Sequence, residues 1–218
     1  MIIFMFTIFF VLTQPHLYRK IFIHLKMKSR GLQPIPVERT PFHNQNLVYP
    51  LTDEEVISFI EKVKRENPIF LFDIKKIQII DREPQLSMNI FGSYRVEPHT
   101  YEKTIHLYPV EKVGDLYKFP YYKSEKNELY FLIEEHEMKR ELLFTLGHEI
   151  GHNYIYQLKG TLHGEYVELE ANERSRQLGC HSEDHMFPYT KDVYHNGQNL
   201  GRVDLFDSNL WKTLNETG

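Results

Sequence analysis

Two histidines four residues apart, with a glutamate after the first, stand inside a long helical pattern and restrict this chain more than any other feature of its sequence. The pattern covers residues 134–158, with Leu142, Leu143, Leu146 and Ile150 as a core-facing stripe and Gly160 as a stop. Within it lies His148-Glu149-Ile150-Gly151-His152, an H-E-x-x-H pattern. Residues four apart lie one above the other on a helix, so both imidazoles reach one metal ion. Glu149 is rotated by about 100° from His148 and so stands beside that ion, not on it. A general base belongs there, taking a proton from a water that the metal activates and passing it to a leaving amine.

With 12 histidines and 30 acidic residues in the chain, the bare pattern arises by accident often enough to need context. A strand is expected before the helix at 104–108, and a second, acidic helix after it at 165–178, ended by Gly179. Gly147 and Gly151 flank the histidines. An interior helix glycine costs about 1 kcal/mol relative to alanine, so the pair points to close approach of backbone or ligand. Zinc takes four ligands and, in a catalytic site, leaves one position to water, so the two histidines need a further protein ligand. Glu170, within Glu168-Leu169-Glu170-Ala171-Asn172, is the preferred candidate, and His163 in the interhelical loop is the alternative. The metzincin spacing fails, because Ile155 and Leu158 stand where glycine and histidine are required.

The H-E-x-x-H segment followed by Glu168-x-Glu170-Ala171-Asn172 resembles the ImmA/IrrE metallopeptidases over residues 104–178. The resemblance implies that His148, His152 and Glu170 hold Zn2+ and that Glu149 is the base. It implies an α+β, zincin-like fold in which a small mixed sheet packs on the active-site helix and the ligand-bearing helix that follows. It also implies a metalloendopeptidase acting on a protein or peptide, by analogy a specific regulator. Arg174-Ser175 departs from the Phe-Ala usual in that family, and a related gluzincin-like branch fits the same residues. A non-enzymatic interaction module keeping the scaffold with a structural metal is the second reading.

Of the tyrosines near the motif, Tyr166 shares the Glu170 face at four-residue spacing and is the one to consider as an oxyanion donor, while Tyr154 and Tyr156 read as packing residues. His136, His181 and His185 read as solvated, and Cys180 as a small buried side chain.

A length of 218 residues suits one domain with tails. The expected division is a leader or anchor at 1–30, an extended arm at 31–50 broken by four prolines, the metallopeptidase domain at 51–185, and a tail at 186–218 with one short helix near 208–214. Thr52-Asp53-Glu54-Glu55 is a capping box opening a helix that buries Val56, Phe59, Ile60 and Val63 and ends at Pro68. A strand is expected at 77–80, and a loop or irregular hairpin at 110–130.

A formal net charge of −4 gives no basic footprint for nucleic acid. One cysteine cannot form an intramolecular disulfide, so a reducing cytoplasm is the default. Residues 1–12 are almost all apolar but fall short of the roughly 20 needed to span a bilayer, and no cleavage signature follows them. They read either as a short membrane anchor, with Arg19, Lys20, Lys26, Lys28 and Arg30 on the cytoplasmic side, or as a leader before a true start at Met27.

Overall fold

The computed structural model describes residues 15–83, 90–124, 127–162 and 164–216. The apolar segment 1–12 and His163 lie outside the described residues. The fold is α+β: two sheets and most of the helices share a main hydrophobic core that runs from Ile23 near the start to Leu214 near the end, and Ile155, Val167 and Ala171 form a smaller second cluster.

Helix α1, Pro15–Arg30, is followed by the proline-rich arm. The arm was expected only as a connection, yet Val37–Arg39 (β1) and Leu47–Val48 (β2) each join a sheet. Prolines hold their neighbours extended, a conformation a sheet edge can use. Helix α2, Asp53–Glu66, starts on the expected capping box: Thr52 Oγ1 accepts from the Glu55 N–H, and Glu55 accepts from the Thr52 N–H.

Strands β3 (Ile74–Ile79), β4 (Gly92–Val96) and β5 (Lys103–Leu107) complete a mixed sheet of order β1-β3-β5-β4. β1, β3 and β5 are parallel, and β4 runs antiparallel to β5 at one end. Ile77, Ile79, Ile105 and Leu107 face the core, with Gln78 and His106 between them on the other face, as the period of two requires.

Of the two readings of residues 110–130, a loop or an irregular hairpin, the structure has the hairpin, with strands over most of the described part of the segment. β6 (Val110–Val113), β7 (Leu116–Lys123) and β8 (Glu128–Ile133) are antiparallel neighbours. Pro120 hid the strand from a sequence reading, since it lacks a ladder donor. Its place is a register shift between Pro120 and Tyr122, a bulge that admits such a residue. Val193–His195 (β9) and Gln198–Gly201 (β10), from the stretch read as a tail, extend this sheet to the order β10-β9-β8-β7-β6-β2.

Helix α3, Glu135–Lys159, carries the histidine motif and ends on Gly160, whose φ of 73° is the left-handed cap that glycine adopts without strain. It packs against β4 and β5 of the mixed sheet and against helix α4, Glu165–Gln177.

Candidate metal centre

The contact between α3 and α4 is set by small residues. A Cβ on Gly147 would stand 2.5 Å from Ser175 Oγ, and one on Gly151 would stand 3.0 Å from the Ala171 carbonyl oxygen. A side chain at Gly147 would force Ser175 to move, and one at Gly151 would press on the Ala171 backbone and push the helices slightly apart, which accounts for both interior glycines. Ala171 and Ser175 are fully buried, and the Ser175 hydroxyl donates to Phe144 O at 2.7 Å, so its burial leaves no orphaned polar atom. Arg174 lies over the Tyr154 ring, 5.1 Å from its centroid. The polar Arg174-Ser175 pair is thus accommodated in the packing.

The face of α4 that bears Ala171 and Ser175 also bears Glu168 and Asn172, at the spacing of three and four that defines one side of a helix. That face meets the histidines. His148 Nε2 and His152 Nε2 are 2.9 Å apart, and Glu168 Oε2 is 3.2 Å from the first and 3.5 Å from the second. Among the described residues these three form the group able to hold a metal ion.

Glu170, the expected third ligand, is not part of the group. Two residues on from Glu168, it is turned by about 200° around the helix. Its carboxylate is bound by Lys159 and by Arg174 Nη2, the latter at 3.0 Å, and these cations hold it below its ordinary pKa against the opposing effect of partial burial. The structure therefore replaces Glu170 with Glu168 beside the histidines. The signal was present in the sequence: Gly147 and Gly151 match the small residues Ala171 and Ser175, and that match selects which side of α4 faces α3.

The donor set fits a divalent cation. Asn172 Oδ1 only accepts, so the His148 Nδ1–H donates to it at 2.8 Å and leaves the Nε2 lone pair pointing at the group. That lone pair then faces a second imidazole nitrogen and a carboxylate oxygen, an arrangement that needs a proton or a cation between them. Tetrahedral ligands about 2.0 to 2.1 Å from zinc stand about 3.3 Å from one another. The three separations bracket that value. Burial lowers the pKa of His148, which favours the neutral, ligating form.

Glu149 is 6% exposed and lies between α3 and the end strand β4. The backbone N–H of Tyr94 donates to its carboxylate, yet burial dominates and pushes its pKa up to about 8, with the Glu168 charge adding to the rise. A Cβ on Gly92 would come within 3.1 Å of Glu149 Cγ and 2.8 Å of Thr145 Cγ2, so this strand position needs glycine to let the carboxylate lie where it does. β4 was not anticipated, because Gly92-Ser93-Tyr94-Arg95-Val96 shows no alternating apolar signal.

His148, Glu149, His152, Glu168 and Asn172 open onto a cleft of about 660 Å³, with residues of β4 along one wall. Glu141, about two turns before His148 on α3, lines the same cleft. It accepts from the Ser182 hydroxyl and the Glu183 N–H, both at 2.6 Å, and burial pushes its pKa up to about 7.

The remaining candidates lie elsewhere. Tyr166 is 86% exposed and Tyr154 is packed against Phe70. His136, His181 and His185 are exposed, and burial raises the Cys180 thiol to about 11. Comparison with protein-family models, with curated proteins and with solved structures found no match.

Proposed function

We propose that this protein is a zinc-dependent metallopeptidase with a zincin-like arrangement, similar to the ImmA/IrrE enzymes, acting on a protein or peptide in the cytoplasm. His148, His152 and Glu168 hold the ion, and Glu149 is the general base. The observation that carries the reading is the convergence of two imidazole nitrogens and one carboxylate oxygen beside a buried glutamate in an open cleft.

A zinc ion in this site supplies Lewis acidity toward a water and a scissile carbonyl. With the positive charge of a bound ion favouring its carboxylate form, Glu149 would accept the proton of the attacking water and deliver it to the departing amine nitrogen. Tyr94 N–H keeps that carboxylate aimed into the cleft, and Asn172 fixes the tautomer and orientation of His148. β4 ends its sheet, so an extended peptide laid along the cleft wall finds strand backbone to pair with. This is what favours a peptide over a small ester or amide.

The test is to incubate the zinc-loaded protein with a complex peptide mixture and to identify new termini by mass spectrometry, beside Glu149→Gln. New termini from the wild type, reduced by about 100-fold or more in the variant at equal zinc content, are expected for loss of a general base. Zinc-loaded wild type that generates none, or a variant as active as wild type, contradicts the proposal. The first of these outcomes is the one an interaction module with a structural metal gives.

A further inference from the structure

Helix α1 has two opposite faces. Ile23 is buried in the common core, Met27 packs beside it, and Arg19 Nη1 donates to the Leu158 carbonyl near the end of α3 at 2.9 Å. About half a turn away, Leu17, Tyr18, Ile21, Phe22 and Leu25 are between 41% and 62% exposed. At 100° per residue these five side chains span an arc of about 140°, a broad apolar stripe directed away from the protein. Single exposed apolar residues are ordinary, but five contiguous ones on one helix, two of them aromatic, mark a surface that binds something.

The charges around the stripe say what. Lys20, Lys26 and Lys28 border or interrupt it, and the Lys26 ammonium lies over the Phe22 ring, 4.7 Å from its centroid. The first acidic residue of the chain is Glu38, whereas Arg19, Lys20, Lys26, Lys28 and Arg30 precede it. A chain with formal net charge −4 thus gathers five cations and no carboxylate on its first 37 residues. Among the described residues no helix is long and apolar enough to cross a membrane, and α1 with its 16 residues is among those too short. An apolar stripe edged with lysines on such a helix suits the plane between lipid headgroups and acyl chains. In the sequence, the stretch that precedes α1, residues 1–12, is apolar except for Thr7.

We propose that the exposed face of α1 docks on an anionic lipid surface. Tyr18, Ile21, Phe22 and Leu25 enter the interface, and Lys20, Lys26 and Lys28 meet lipid phosphates. The Arg19 contact ties this helix to the end of the histidine-bearing helix, so docking fixes the orientation of the cleft relative to the membrane. The inference is independent of whether the cleft hydrolyses peptides.

The test is flotation of the full chain with vesicles of phosphatidylcholine alone or with one-third phosphatidylglycerol, beside Ile21→Glu/Leu25→Glu and Lys20→Glu/Lys28→Glu. Both pairs are exposed and leave the core untouched. A cation near an anionic surface is worth about fivefold in binding. Wild type is expected to partition at least tenfold better onto the anionic vesicles, with the advantage lost in high salt and in both variants. Equal binding to the two vesicle types, or full binding by Ile21→Glu/Leu25→Glu, overturns the proposal. An environment-sensitive dye on Ile21→Cys separates the other occupants. Water-like emission in buffer that shifts to the blue on anionic vesicles supports docking. Blue emission already present in buffer overturns it, and then dependence on protein concentration identifies a second copy, and independence of it the chain's own apolar segment.

Discussion

The two sheets of this protein are built on different principles. The six-stranded sheet is held by interlocking aromatic side chains: Phe131 is fully buried and its ring lies 6.5 Å from that of Phe119, 5.9 Å from Tyr121 and 5.8 Å from Phe187. Around the end strand of the mixed sheet and the adjoining helices, the contacts are polar and the space is made by glycines: Tyr94 N–H on Glu149, Asn172 on His148, Gly92 and Gly147 where a Cβ would collide with a neighbouring side chain, and Gly151 where it would press on the Ala171 backbone. One region contributes stability through apolar contact. The other holds lone pairs and carboxylates in an arrangement that folding alone does not reward, which is the physical signature of a site.

The separation can be broken experimentally. Truncating Phe131→Ala is expected to lower unfolding stability by about 3 to 5 kcal/mol in denaturant titration, the cost of a large aromatic cavity, while the folded fraction binds zinc as wild type does. A similar fall in intrinsic zinc affinity would show that the two regions are coupled. Asn172→Ala is expected to do the reverse, weakening zinc by about 10- to 100-fold in chelator competition with little change in unfolding midpoint, because it frees His148 to rotate and change tautomer.

A smaller effect sharpens the comparison at the cleft's edge. Glu141 has its pKa pushed up to about 7 by burial, above the value of a carboxyl in the unfolded chain. The folded state therefore holds that proton more tightly, so the associated stability is complete below about 4.5 and is lost as pH rises through 7. Between pH 5 and pH 8 the wild type is expected to lose about 1 to 3 kcal/mol relative to Glu141→Gln in paired denaturant titrations. Parallel pH curves would place Glu141 in a solvated setting.

Much of this layout was legible from residues alone. Helix starts and stops followed from local chemistry, as with the Thr52–Glu55 capping box and the left-handed Gly160, because a cap is decided by its immediate neighbours. The pairing of His148 with His152 followed from helix periodicity. What escaped was decided by contacts distant in sequence. β4 is a strand because β5 lies beside it, and Pro120 is tolerated because a bulge forms opposite β8. Glu168 and Glu170 are equivalent by proximity to the motif, and only the fit of Gly147 and Gly151 against Ser175 and Ala171 settles which one turns toward the histidines.

That choice is the most direct test of the account. Zinc affinity of Glu168→Ala and Glu170→Ala should be measured side by side with a competing chelator at neutral pH. Loss of a ligand predicts at least tenfold weaker zinc binding in Glu168→Ala, and a change of no more than about threefold in Glu170→Ala. Unchanged affinity in Glu168→Ala, or the larger loss in Glu170→Ala, would contradict the centre described for this protein.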